Sequence, residues 1–400
     1  MNLPSKNSKT TPRPFPSIDW RVPLSAPSFG EAEIQEATAV LRSGWWTYGP
    51  VARELEAEFA ARIGVAHAIA VSSGTAALHL AFAALGLSPG DEVLTPSLSF
   101  VAAANCIWHV GGVPCFVDVS SLDHPLPSVE ILERAITPRT RGICVMHYGG
   151  YPCAMDAIMD LARHHGLWVV EDAAHAPGAS WNGIGCGAWG DVGCFSFFGN
   201  KNLTCGEGGM ITTASDQIAR QIRMLRSHGM TSLTWDRYLG HQSSYDVADA
   251  GFNYRMDDLR AAILRVQLSS LAELNRRRAE RIGWYRELLG QGSCWRIPFG
   301  HHPGKSSHHL CVVVLGEGVD RAHVMAQLRA DRIQSSVHYP PVHEFSFYRR
   351  LALPRGDLNI TELLGRRLIS LPLYPDMTRE QVEWVSASLH RAAMRAAAAC

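Results

Sequence analysis

The 400-residue sequence predicts an α/β protein, with a large domain on a mostly parallel sheet and a smaller α+β domain after it. Three observations carry that prediction. Short, continuously apolar runs alternate with amphipathic stretches from residue 68 onward, as expected of strands buried on both faces and covered by helices. One long helical stretch, Asp257 to about Leu289, then reads as a connector out of that domain. Beyond about Cys294 the pattern restarts, with one clear strand, His309 to Leu315, followed by helices. The length is enough for two cores. The expected divisions are a flexible N-terminal tail at 1–22, the large domain at 23–270, and the linker helix with the small C-terminal domain at 271–400.

The elements follow in order. Gly30 to Ser43 places Ile34, Ala37, Val40 and Leu41 on one helical face. Gly44 to Pro50 is an aromatic loop, and Val51 to Ile63 a second helix. Then come strand Ala68–Val71, helix Gly74–Leu85, strand Glu92–Thr95, helix Val101–Trp108 and strand Pro114–Val119. A helix from Ser128 leads to strand Gly142–Met146. Met155, Ile158, Met159 and Ala162 mark a helix running to His165, before strand Leu167–Glu171. Two further strands, Gly193–Phe197 and Gly209–Thr213, have no long helix between them. Helices Asp320–Ala330 and Arg379–Ala397 complete the chain.

Composition narrows the function. Hydrophobic residues make up 46% and charged residues 18%, and the formal net charge is zero. No basic field is available to attract nucleic acid or an anionic membrane. The ten cysteines form no CxxC pair and no zinc-like spacing, so no metal is expected. Several sit in apolar runs, such as Cys144 between Ile143 and Val145, which reads as reduced, buried thiols of a cytoplasmic protein. Residues 1–16 lack the apolar region of a signal peptide, and no apolar run is long enough to span a membrane.

Open α/β sheets bind ligands at the carboxyl ends of their strands, so the residues after each strand are the candidates. Ser72-Ser73-Gly74-Thr75 opens a helix with small residues and free N–H groups, either an anion site or an ordinary serine cap. Phe100, after the second strand, reads as a core aromatic or a stacking partner for a planar ring. Glu171 and Asp172 end a buried strand, where a carboxylate is costly unless paired. Period-two alternation points them to opposite faces, and Asp172 is the better partner for a protonated ring nitrogen. His175 follows on the turn. Lys201 lies between the aromatic strand ending Phe195-Ser196-Phe197 and the glycines 206, 208 and 209. Desolvated there, its amine would be neutral enough to form a Schiff base.

Together these landmarks resemble the DegT/DnrJ/EryC1/StrS family of pyridoxal-phosphate (PLP) dependent sugar aminotransferases. The resemblance runs from about Pro23 to Leu389. It rests on Ser72–Ala77, Glu171–His175, Phe195–Lys201 and Gly206–Gly209, then on Gly251–Met256, His338–His343 and Leu371–Pro375. It implies the type I, aspartate-aminotransferase-like fold and assigns roles. Lys201 is the Schiff-base lysine. Asp172 holds the pyridine nitrogen protonated. Ser73, Gly74, Thr75 and Ser196 hold the phosphate, Phe100 stacks on the ring, and His175 stands near the ring hydroxyl. Members are usually homodimers, with Asn253 reaching the partner subunit's cofactor. Lysine at 201 sets the chain apart from the dehydrating subgroup, which carries histidine there.

The implied activity moves an amino group from an amino acid, L-glutamate in the family, to a keto sugar. The stretches 198–201 and 206–210 are most similar to members that aminate C4 of nucleotide-linked 6-deoxy sugars. A cyclitol or other non-nucleotide ketone as acceptor is the alternative, as is a PLP dehydratase or synthase on the same scaffold. Trp46, Tyr48, His338, Tyr339 and His343 are the candidates for substrate contact.

Overall fold

A computed structural model describes residues 19–232, 240, 244–351 and 353–398. Most of the tail expected at 1–22 therefore lies outside the described residues.

Helices α1 (Glu31–Ser43) and α2 (Pro50–Ile63) precede strand β1 (His67–Val71). The alternation continues through α3 (Gly74–Ala84), β2 (Glu92–Pro96), α4 (Ala102–His109), β3 (Val113–Val117) and α5 (Val129–Ala135). It ends with β4 (Thr140–Met146), α6 (Met155–His165) and β5 (Trp168–Asp172). A two-stranded hairpin, β6 (Ser180–Trp181) and β7 (Ile184–Gly185), leads into β8 (Val192–Ser196) and β9 (Gly209–Thr213). The seven-stranded sheet has the order β1-β9-β8-β5-β4-β2-β3. Every pairing is parallel except those of β9, which is antiparallel to both neighbours. The 197–208 segment joining β8 to β9 contains no helix to carry the chain back across the sheet, so β9 runs the other way.

Apolar side chains of β1, β5, β8 and β9 pack against α3 and α4 on one face. A second cluster joins α2, Phe195, Phe197 and Met210 on the other. Helix α7 (Asp216–Leu225), absent from the elements expected above, covers the edge near β1 and β9. Helix α8 (Asp258–Leu289) is continuous, so the division expected at 270/271 falls inside it. Asp257 caps it by accepting the Arg260 N–H at 2.8 Å.

Beyond α8, β10 (Trp295–Arg296), β11 (Cys311–Leu315) and β12 (Leu368–Leu371) form an antiparallel sheet. Helices α9 (Arg321–Ala330) and α12 (Arg379–Ala398) pack with it in one core; α10 (Ser346–Leu351) and α11 (Asn359–Arg367) lie between them in the chain. The strand expected at His309 begins at Cys311, because the His309 and Leu310 N–H groups both donate to the Gly149 carbonyl. Among the described residues no helix is long and apolar enough to cross a membrane.

Candidate active site

The carboxyl ends of β1, β2, β4, β5 and β8 surround one cavity of about 350 Å3. Each strand delivers a different group. After β1, Ser73 is extended and its hydroxyl accepts the Ala76 N–H at 3.0 Å. That cap leaves the Gly74 and Thr75 N–H groups without a partner among the described residues at the start of α3, where the helix dipole favours an anion. A Cβ at Gly74 would sit 2.7 Å from Ser196 Cβ, so glycine lets the start of α3 lie directly on the end of β8. These three residues and Ser196 line one wall of the cavity.

Strand β5 supplies two carboxylates with separate duties. Glu171 is fully buried and accepts four hydrogen bonds, from His147 Nε2 at 2.9 Å and from the N–H groups of Gly187, Trp189 and Gly190 at 2.8 Å each. It ties β5 to the loop before β8. Asp172 lines the cavity and accepts one hydrogen bond, from the Ala174 N–H at 3.1 Å. Burial raises its pKa, against the Ala174 N–H, Lys201 and His147.

Lys201 reaches the same cavity from the loop after β8. Its N–H donates to the Phe198 carbonyl at 2.9 Å. The next residue, Asn202, is buried, and its amide donates to Asn275 Oδ1 at 2.9 Å and the Ser307 carbonyl at 2.8 Å. These bonds anchor the lysine's loop on α8 and on the segment before β11. Burial lowers the Lys201 ammonium to about 8, against the attraction of Asp172.

Two histidines, His175 and His338, complete the wall, and a third, His309, packs behind them. His175 is fully buried; its Nδ1 accepts the Gly149 N–H at 3.3 Å, and its Nε2 lies 2.9 Å from the Tyr339 hydroxyl. Both ring nitrogens are thus engaged within the protein. His309 packs on it, ring centroids 4.2 Å apart. Gly150, at φ +89°, lets the turn pass close beneath, since a Cβ there would lie 2.3 Å from Ser307 Oγ. Burial, then Lys201, hold His175 and His309 far below the usual imidazole range. The same causes lower His338 to about 4. The Lys201 amine and the Asp172 carboxylate therefore share a cavity whose histidines are neutral, with Glu207 as a second carboxylate in its lining.

Of the residues singled out from sequence, Ser73, Gly74, Thr75, Phe100, Asp172, His175, Ser196 and Lys201 all line the cavity, and so do His338 and Tyr339. Phe100 is half-exposed, with its ring 5.8 Å from that of Tyr339. Asn253 lies outside the cavity, exposed and bridged to Ser227. Three substrate candidates lie elsewhere. Tyr48 is a core residue: its hydroxyl donates to Glu56 at 3.1 Å, and the buried Arg226 guanidinium lies 4.3 Å from its ring centre. His343 is buried against Ser97, with Glu362 on its far side. Trp46 is exposed, its indole N–H on the Leu41 carbonyl at 3.3 Å. His309, Gly149 and Asn202 escaped sequence reasoning because their roles are contacts between distant segments, with no local signature. Among the described residues no group of three His, Cys, Asp or Glu side chains could hold a metal.

Comparison with known proteins agrees with this geometry. The model of the DegT/DnrJ/EryC1/StrS aminotransferase family matches residues 27–390. The spore coat polysaccharide biosynthesis protein SpsC of Bacillus subtilis (strain 168) is 41% identical over 368 residues, 90% of this chain and 94% of that protein. Among solved structures, the PMP form of the sugar aminotransferase Spr1654 from Streptococcus pneumoniae superposes with a TM-score of 0.88 at 27% identity, covering 94% of this chain and all of the other. DesI, solved in the presence of its TDP-sugar product, gives 0.84 at 29% identity, covering 94% and 93%.

Proposed function

The chain belongs to the DegT/DnrJ/EryC1/StrS aminotransferase family, and from that membership we propose that it moves an amino group from L-glutamate to the ketone of a nucleotide-linked 4-keto-6-deoxy sugar. The observation that carries this reading is the cavity itself, which joins the Lys201 amine, the Asp172 carboxylate and the start of α3. Relatives in polysaccharide biosynthesis and with a TDP-sugar product support a nucleotide sugar as acceptor.

The cofactor is pyridoxal phosphate, and the residues present fit it. The N–H groups of Gly74 and Thr75, unpaired among the described residues, and the Ser196 hydroxyl form an anion cradle that a Cβ at 74 would fill. The half-exposed Phe100 ring offers a face to a planar ring. Bound there, PLP supplies an electron sink for the substrate's α-carbon. Asp172, whose second oxygen has no protein partner among the described residues, would hold a proton on the ring nitrogen. Lys201 would hold the cofactor and, as an amine of lowered basicity, would move the substrate's α-proton. The lowered His175 and His338 compete poorly with that amine for the proton.

In this reading the enzyme is a cytoplasmic homodimer. Asn253, exposed and outside its own cavity, reaches the phosphate site of the partner subunit. The nine described cysteines are all free and buried, in keeping with a reducing compartment.

The test is a pair of half-reactions. L-glutamate should convert the violet absorbance of the loaded enzyme to that of the pyridoxamine form. A panel of 3-keto and 4-keto nucleotide sugars should then reverse it, the 4-keto-6-deoxy sugars fastest. Lys201→Ala should lose both the absorbance and turnover. No conversion with any amino donor would favour a dehydratase or synthase instead.

A further inference from the structure

The hydrogen bonds around His175 leave one cavity proton with a single direction to point. The Gly149 N–H donates to His175 Nδ1, so a neutral ring carries its proton on Nε2. Nε2 therefore donates to the Tyr339 hydroxyl oxygen at 2.9 Å. A protonated ring would set a second N–H against that of Gly149. The charged and titratable groups acting on the ring, Lys201, His309 and His338, each oppose a positive charge as well.

The neighbouring ring is fixed in the same way. Both donors of the Asn202 amide are used, so its oxygen accepts, and His309 Nδ1 donates to it at 2.9 Å. Tyr339 has no other hydrogen bond to protein among the described residues, and it lines the cavity. Its own proton cannot point at Nε2, which already carries one.

Resting on the function proposed above, we propose that Tyr339 is a specificity-determining hydrogen-bond donor, set by His175 in the Nε2–H form to present its hydroxyl proton to an oxygen of the bound substrate. A phenol that accepts from an imidazole is polarised to donate more strongly. A carbonyl, carboxylate or hydroxyl oxygen satisfies it, whereas an N–H or methyl group in the same place leaves it unpaired. His175 is a positioning residue that acts through Tyr339.

Neutron diffraction from deuterated crystals of the PLP-loaded enzyme reads these protons directly. Deuterium on Nε2 of His175, none on Nδ1, and a Tyr339 O–D directed into the cavity are expected. Deuterium on Nδ1, or an O–D directed at Nε2, overturns the proposal. In solution, Tyr339→Phe should keep the resting absorbance and lower kcat/KM in at least one half-reaction roughly tenfold. A shifted resting absorbance, the mark of a cofactor oxygen as acceptor, overturns the proposal, and so does an unchanged kcat/KM in both halves. His175→Leu should lower kcat/KM similarly but add little on top of Tyr339→Phe. His175→Gln, whose amide accepts from Gly149 and donates to Tyr339, should restore most of it; additive losses in the double variant refute positioning. Inactivity toward every ketone would sink the functional reading and leave the neutron result standing, so the two failures are distinguishable.

Discussion

Lys201 offers the sharpest test of the site's electrostatics. Burial lowers its ammonium from 10.5 to about 8 while Asp172 pulls the other way. At pH 7 a lysine titrating at 10.5 is neutral in roughly one molecule in 3,000, and one titrating at about 8 in roughly one in ten. The reactive fraction is therefore about 300-fold larger. The assay is timed acylation of the cofactor-free protein with an amine-selective reagent, followed by mass spectrometry of the lysine peptides. The chain has four lysines, Lys6, Lys9, Lys201 and Lys305, so the peptides are few. A free lysine peptide added to the mixture is the reference. Labelling of Lys201 should rise about tenfold per pH unit up to about 8 and then level off, while that of the free lysine peptide keeps rising toward 10. Asp172→Asn removes the attraction that favours the ammonium, so the Lys201 midpoint should move below 8. Two results would refute the reasoning: Lys201 and the free lysine peptide rising in step through pH 10, or a midpoint that climbs in Asp172→Asn.

Three further outcomes are expected. Asp172→Asn should retain cofactor yet lose turnover roughly 100-fold or more, measured as single-turnover conversion with glutamate; a wild-type rate would remove Asp172 from its role. Gly74→Ala places a Cβ 2.7 Å from Ser196 Cβ and 3.2 Å from its Cα. Forcing α3 from β8 should cost about 1–3 kcal/mol and speed cofactor loss on dialysis; unchanged Tm and retention would contradict that contact. Glu56→Gln leaves the buried Arg226 without its carboxylate, now 2.7 Å away. Denaturant unfolding should then show a loss of about 3–5 kcal/mol, whereas a change under 1 kcal/mol would show the cation to be satisfied by the Ala70 carbonyl and the Tyr48 ring.

Much of the candidate site was legible because its signals are local. Ser73 caps a helix three residues ahead, and period-two alternation separates Asp172 from Glu171 without knowledge of the rest of the sheet. The spacing of Asp172 and Lys201 reflects adjacent parallel strands, β5 and β8. The aromatic loop misled for the complementary reason. Tyr48 reads like a pocket residue until Arg226, far along the chain, arrives beneath its ring.

By itself, then, the sequence determined which strands are buried, what stands at their carboxyl ends, and that a lone lysine follows an aromatic strand. Those properties depend on neighbours within a turn or a strand of each residue. Only the tertiary structure decided that burial lowers Lys201 and raises Asp172, that His309 stacks on His175, and that the proton of Tyr339 points inward. Desolvation and tautomer choice depend on which distant groups exclude water and which present an N–H, and the folded chain alone brings Gly149, His175, His309 and Tyr339 together.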